Sequence, residues 1–221
     1  SYGLLVDGAN NMIGGTADGE GNVIANNNRY GVYVTTGSPG TAILRNSIPD
    51  NLSQGIALAT DGITANDGDL TVGAANLYMD MPVLKTFSVL GSTLTVTGYI
   101  GTDPLGDADF AGACVEIFLQ DGSADTYGEG KTYLGYLTAD ASGLFNGQIA
   151  LTTPVNVGDT LTATATSTAN NTSEFSANAV VTSSNAPIIT PVGPNVTFVE
   201  GGSAQVIDAL MTVTDVDSPD F

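Results

Sequence analysis

The chain has no histidine, no tryptophan, one cysteine and only four cationic residues among 221. Each shortage removes a class of chemistry. Without histidine there is no Ser-His-Asp triad, no Cys-His pair and no histidine metal site. Without tryptophan the sequence lacks the ring best suited to stack on sugars, which weakens the expectation of carbohydrate binding. Cys114 has no partner for an internal disulfide, and within the apolar run CVEIFLQ it is expected to pack as a small core residue. Arg29, Arg45, Lys85 and Lys131 stand against 23 acidic residues, a formal net charge of -19. That balance argues against nucleic acid and anionic membrane surfaces, which gain nothing from more negative charge. It suits a cationic partner, Ca²⁺ being the simplest, beside the plainer reading of a solvated acidic exterior. No apolar run approaches the length of a membrane span, so no insertion is expected. No signal peptide is seen, and residue 1 falls inside a repeating pattern, so the chain is expected to be a piece of a longer protein.

What is present in abundance is glycine, 28 residues of it, with 42% hydrophobic and only 12% charged residues. Low charge combined with Gly, Thr and Val is an all-β composition. Residues 131–181 carry the clearest pattern. KTYLGYL, LFNGQIAL, TLTATATS and ANAVV alternate apolar and small polar residues with period 2, as half-buried strands do. Asp140-Ala-Ser-Gly143 and Val157-Gly-Asp159 supply turn chemistry between them.

Residues 1–80 carry a weaker repeat. Gly3-Leu-Leu-Val6, Gly31-Val-Tyr-Val34 and Gly55-Ile-Ala-Leu58 share one pattern, with Asn-rich segments at 22–27 and 45–51 between them. Short strands and Asn corners at this period predict one coil of a solenoid per repeat. The pattern resembles the right-handed parallel β-helix, about three coils of it. The resemblance sharpens over residues 55–84, which look like the last coil and exit segment of bacterial β-helix repeat surface proteins. In that family the exit leads into an immunoglobulin-like β-sandwich. Ser92-Thr-Leu-Thr-Val-Thr-Gly98, Cys114-Val-Glu-Ile-Phe-Leu119, Tyr127-Gly-Glu-Gly130 and Asn171-Thr-Ser-Glu-Phe-Ser176 follow in the order the resemblance implies. Family members often carry a second cysteine after the Glu-Phe-Ser string; here Asn178 stands there. After a linker near Ser183-Ser-Asn-Ala-Pro187, residues 195–199 and 209–214 resemble the first two strands of a cadherin-like repeat. Three segments result: coils and exit over 1–80, the sandwich over 81–183, and a linker with an open two-stranded tail over 184–221. The tail is expected to pair with the sandwich edge or with another molecule.

The candidate site is a metal site. Asp61, Asn66, Asp67 and Asp69 crowd oxygens into one loop. Two readings stay open for it: a calcium loop, or an Asx-rich turn whose side chains cap their own backbone. Asp215 and Asp217 match the Asp-x-Asp that the cadherin-like resemblance implies for calcium, although the linker lacks the further acidic ligands expected there. Asp103, Asp107 and Asp109 read as a solvated loop. The eight tyrosines are expected at strand edges or between coils. The Asn-x-Ser/Thr strings at Asn51, Asn170, Asn171 and Asn195 read as turns.

The resemblance implies a non-catalytic structural or adhesive segment of a secreted bacterial surface protein, stiffened by calcium. Two alternatives compete. One is a self-assembling extracellular fibre or layer subunit, its tail completing a neighbour's sheet by strand addition. The other is the remnant of a β-helix carbohydrate-active enzyme, for which Arg29, Arg45, Asp67 and Asp69 are the available groups. Expected partners are other copies or neighbouring surface proteins, with carbohydrate weakly supported, and the expected location is the cell surface or beyond it.

Overall fold

The computed structural model describes residues 1–182, 188–190 and 212–214. Residues 1–182 form one compact unit and 183–221 a second. The chain is all-β: among the described residues the only helical turns are two short 3-10 segments, Ala75–Tyr78 and Ala108–Phe110.

The first part is a stack of parallel three-residue strands. Leu4–Val6 (β1), Val32–Val34 (β3) and Ile56–Leu58 (β5) form one sheet, with Leu4 opposite Val32 and Val32 opposite Ile56. Met12–Gly14 (β2) pairs in parallel with Ala42–Leu44 (β4) along a second line, and Val23 bridges Ser47 along a third. Asparagine ladders hold the corners in register. The backbone N–H and side-chain amide of Asn22 both donate to Asn46 Oδ1 at 3.0 Å. Asn27 does the same to Asn51, its amide at 2.8 Å. The repeat glycines have a steric reason. A Cβ on Gly3 would strike Ile24, one on Gly31 would strike Ile48, and one on Gly55 would strike the ring of Phe175. Phe175 therefore fills, for the last turn, the place an isoleucine fills below each earlier one.

The second part is a pair of antiparallel sheets. Pro82–Leu90 (β6), Thr93–Ile100 (β7) and Leu144–Ala150 (β10) make one, ordered β10-β7-β6. Cys114–Gln120 (β8), Gly130–Thr138 (β9), Thr160–Thr166 (β11) and Ala179–Val180 (β12) make the other, ordered β12-β11-β8-β9. Leu94, Val96, Phe145 and Ile149 meet Val115, Ile117, Leu161 and Ala163 in their shared core. Burying such side chains stabilises the fold by about 1.5–3 kcal/mol each.

The alternation in β11 predicts one dry and one wet face, and here the structure differs. Thr162, Thr164 and Thr166 are as buried as Leu161, Ala163 and Ala165. The segment 171–176 lies over the threonine face. Thr162 Oγ1 donates to the Ser176 carbonyl at 3.1 Å, and the Thr166 and Thr172 hydroxyls meet at 2.9 Å. Thr162 and Thr166 stay buried because their hydroxyls find partners there, whereas Thr164 Oγ1 is buried without one. In the second unit Ile188–Thr190 (β13) pairs antiparallel with Thr212–Thr214 (β14). The strand expected at 195–199 lies outside the described residues.

Candidate functional site: the junction between stack and sheets

A parallel stack leaves unpaired N–H groups on its last turn, and each must find an acceptor. The sheet pair supplies them. On the β5 line, Leu58 N–H donates to Glu174 Oε1 at 2.9 Å and Thr64 N–H to Glu174 Oε2 at 2.8 Å. On the β4 line, Ile43 N–H reaches Thr172 Oγ1 and Arg45 N–H reaches Glu116 Oε2, both at 2.9 Å. On the third line, Ile48 N–H donates to the Gly130 carbonyl at 2.8 Å, Asp50 N–H to Asp121 Oδ2 at 3.0 Å and Asn51 N–H to Glu129 Oε2 at 2.8 Å. Phe118 and Phe175, edge to face at 5.6 Å, enter the apolar centre of the stack beside Ile48 and Ile56.

The strand β8 explains how one element serves both parts. Val115 and Ile117 face the sheet core, while Glu116 and Phe118 face the stack. Glu116, Glu129 and Glu174 are 3%, 2% and 1% exposed. Burial, which disfavours the charged form, pushes the Glu116 carboxyl up to about 7 and that of Glu129 up to about 8. The same cause raises Glu174, against the pull of its backbone donors. Asp121 is lowered despite partial burial, because Ser123 and Asp50 N–H groups donate to it. Asp121 and Glu129 carboxyls are neighbours able to share a proton, though Glu129 Oε1 does not make a well-formed hydrogen bond to any group.

The expected metal residues are placed differently from one another. Asp61 accepts from Arg29 Nη2 at 2.7 Å and from the Tyr30 hydroxyl at 2.8 Å on one and the same oxygen. Asn66 is a clip between the loop and the sheets: its Oδ1 accepts Met81 N–H at 2.8 Å, and its amide donates to the Met81 and Gly101 carbonyls at 2.9 Å. Asp67 accepts the N–H of Asp69 at 3.0 Å, an Asx turn. The loop is tied down by Asp80, 2% exposed, which accepts the N–H groups of Asp67 and Gly68 and is pushed by burial up to about 6. Among the described residues no three acidic or cysteine side chains gather as a metal-holding group. The hydrogen bonds of Asp67 and Asn66 are those of an Asx-rich turn. Asp215 and Asp217 lie outside the described residues. Arg29 lies over the rings of Tyr2 and Tyr30, and Arg45 over that of Tyr133 at 4.7 Å while pairing with Asp18.

The capping carboxylates were not singled out from sequence. A signal existed: Glu116 interrupts an otherwise apolar strand, and Glu174 sits between Ser173 and Phe175, both buried. A charge at such a position has to be partnered, but the partner is a backbone group more than 70 residues away. No helix among the described residues is long and apolar enough to cross a membrane. No protein-family model matches the chain.

Proposed function

We propose that this chain is a non-catalytic structural and adhesive segment of a secreted bacterial surface protein. In this reading the parallel stack is the end of a right-handed β-helix rod, and the sheet pair is an immunoglobulin-like sandwich that caps it. The single observation that carries the reading is the junction. All three lines of the stack end on acceptors from the sheets, so rod and cap behave as one stiff body. Calcium belongs to the reading through Asp215 and Asp217, as the resemblance implies, rather than through the exit loop.

A second reading, the self-assembling subunit, has its own observation. In the second unit β13 and β14 form a two-stranded sheet, each strand paired on one side only among the described residues. A half-paired strand is a template for another chain. Size-exclusion with light scattering, in calcium and then in EDTA, separates the two. A monomer in both buffers supports the stalk. Large species that disappear on removing residues 187–221 support assembly through the tail, and large species that survive the removal overturn it. Turnover of pectin-like or alginate-like polymers by this chain would overturn the non-catalytic reading.

A further inference from the structure

The corner of the stack at Asp50 and Asn51 is closed differently from the corner one turn earlier. There Asn27 N–H donates to the side-chain oxygen of Asn51 at 3.2 Å. Asn51 N–H in turn donates to Glu129 Oε2 at 2.8 Å, so a carboxyl takes the place of the amide. The neighbouring N–H, that of Asp50, is held by Asp121 Oδ2 at 3.0 Å. Two consecutive N–H groups thus hang on two carboxyls, and those carboxyls are in hydrogen-bond contact with each other. An amide caps at any pH. A carboxyl pair caps only while its members share a proton, because two carboxylates side by side repel.

Both carboxyls are fixed in place. Asp121 Oδ1 accepts Ser123 N–H at 2.9 Å and the Gln120 amide at 2.8 Å, and Glu129 is 2% exposed. Neither pairs with a cation among the described residues, whose two ion pairs are Arg29 with Asp61 and Arg45 with Asp18. Lys131, the nearest cation in sequence, is exposed. The other titratable groups beside Glu129 are Tyr30, Asp125 and Tyr127, and Tyr30 gives its hydroxyl to Asp61; the Asp50 side chain is exposed. Burial, and then the Asp121 charge, push Glu129 up to about 8 against its Asn51 donors. The other two glutamate caps lack a carboxyl neighbour of this kind. Glu116 ionises beside the Arg45 guanidinium, and Glu174 receives Leu58 N–H, Thr64 N–H and the Thr64 hydroxyl. We propose that the Asp121–Glu129 pair is a proton-dependent latch: one shared proton holds the corner at Asp50 and Asn51 against the segment 121–129, and its loss lets that corner come away while the β4 and β5 lines stay closed. The folded value is raised, so the hold is complete well below pH 8 and is lost as pH rises through it. Ile48 N–H, bonded to the Gly130 carbonyl, stays as a hinge that does not titrate.

The test is native-state hydrogen exchange of the full chain labelled with ¹⁵N, at pH 7 and pH 9, each rate divided by the unprotected rate at that pH and followed in dilute urea. An opening confined to this corner exposes little surface and does not respond to urea, whereas unfolding of the whole unit does. The Asp50 and Asn51 amides are expected to exchange through a urea-insensitive opening about ten-fold more populated at pH 9 than at pH 7, since the closed corner keeps one proton that the open corner releases. The Ile43 and Leu58 amides are expected to show no such opening. Glu129→Gln restores the amide of the earlier turn and is expected to abolish the ten-fold rise. Asp121→Asn keeps an acceptor for Asp50 N–H, removes the like charge and is expected to shrink the rise. It keeps the test valid if Glu129→Gln alters folding, which a thermal melt checks. Three outcomes overturn the proposal. Asp50 and Asn51 exchange only through the urea-sensitive unfolding at pH 9. Their local opening is equally populated at both pH values. Or the rise is the same in both variants as in the unaltered chain.

Discussion

Glu174 accepts the backbone N–H of Leu58 at 2.9 Å across 116 positions of sequence, and that one contact closes the last strand of the stack. Its second oxygen takes Thr64 N–H. Glu174→Ala strands both donors in a buried place, and each unmet group costs about 1–3 kcal/mol. A loss of about 3–4 kcal/mol in urea unfolding is expected. Glu174→Gln retains one acceptor and turns an N–H₂ towards the other donor, so a loss of about 1–2 kcal/mol is expected. Equal losses for the two would remove the cap from this account.

Phe175 stands where a further turn would place an isoleucine, against Gly55 and next to Phe118. Phe175→Ala opens a cavity where stack and sheets meet and is expected to destabilise by about 3–5 kcal/mol. Phe175→Leu refills most of it and is expected to cost roughly half as much. Calorimetry adds a second readout: loss of the single cooperative transition in Phe175→Ala would show stack and sheets melting separately.

Asp80, Glu116 and Glu129 have folded-state values of about 6, 7 and 8, against ordinary values of 3.8, 4.5 and 4.5. The folded chain therefore holds protons that the unfolded chain has released. This contribution to stability is fully present below about pH 4 and is lost as pH rises through 6 to 8. A melting temperature lower by on the order of 5 °C at pH 9 than at pH 5 is expected. Glu129→Gln is expected to flatten the upper part of that slope, between pH 7 and 9. A melting temperature that rises with pH would contradict the buried, protonated carboxyls.

Cys114 is half-buried beside Glu116, and burial pushes its thiol up to about 12. Thiolate is the reactive form, so labelling by a disulfide reagent at pH 8 is expected to be at least ~100-fold slower in the folded chain than in urea. Rapid labelling of the folded chain would mean the strand β8 opens readily.

Millimolar calcium is expected to raise the melting temperature over that in chelator, because an ion bound only by the folded state stabilises it. Asp67→Asn with Asp69→Asn is expected to leave that rise in place, since the exit loop is organised by Asp80 and Asn66. Asp215→Asn with Asp217→Asn is expected to remove it. The opposite pattern would return the ion to the loop.

The stacking strands were legible because glycine marks each start at a spacing of 28 and then 24 residues, and the sheet strands because their period of 2 is local. What was not legible depends on distant partners. Thr162 and Thr166 look solvent-facing until the segment 171–176 covers them. Asn66 is a residue type that can ligate calcium through Oδ1, but that oxygen accepts Met81 N–H and its amide donates to the Met81 and Gly101 carbonyls. The turn through Asn76, Leu77 and Tyr78, with φ of 42°, 55° and 50°, gives no sign of itself in residue type beyond Asn76. It is held by Asn76, whose amide bridges the Thr41 and Thr172 carbonyls at 2.7 and 2.9 Å.

The distance in sequence between the stack and its cap also sets an order of events during synthesis. Leu58 leaves the ribosome 116 residues before Glu174 does. At about 5–20 residues per second, the open strand waits roughly 6–23 s for its closing carboxylate. During that interval the nascent chain carries an unpaired parallel edge, exposed to chaperones and to other nascent copies. Folding of the first turns is thus gated by the arrival of a dipeptide, Glu174-Phe175, far downstream. A ribosome stalled before that point would present the β5 line of the rod open, and release past it would close that line.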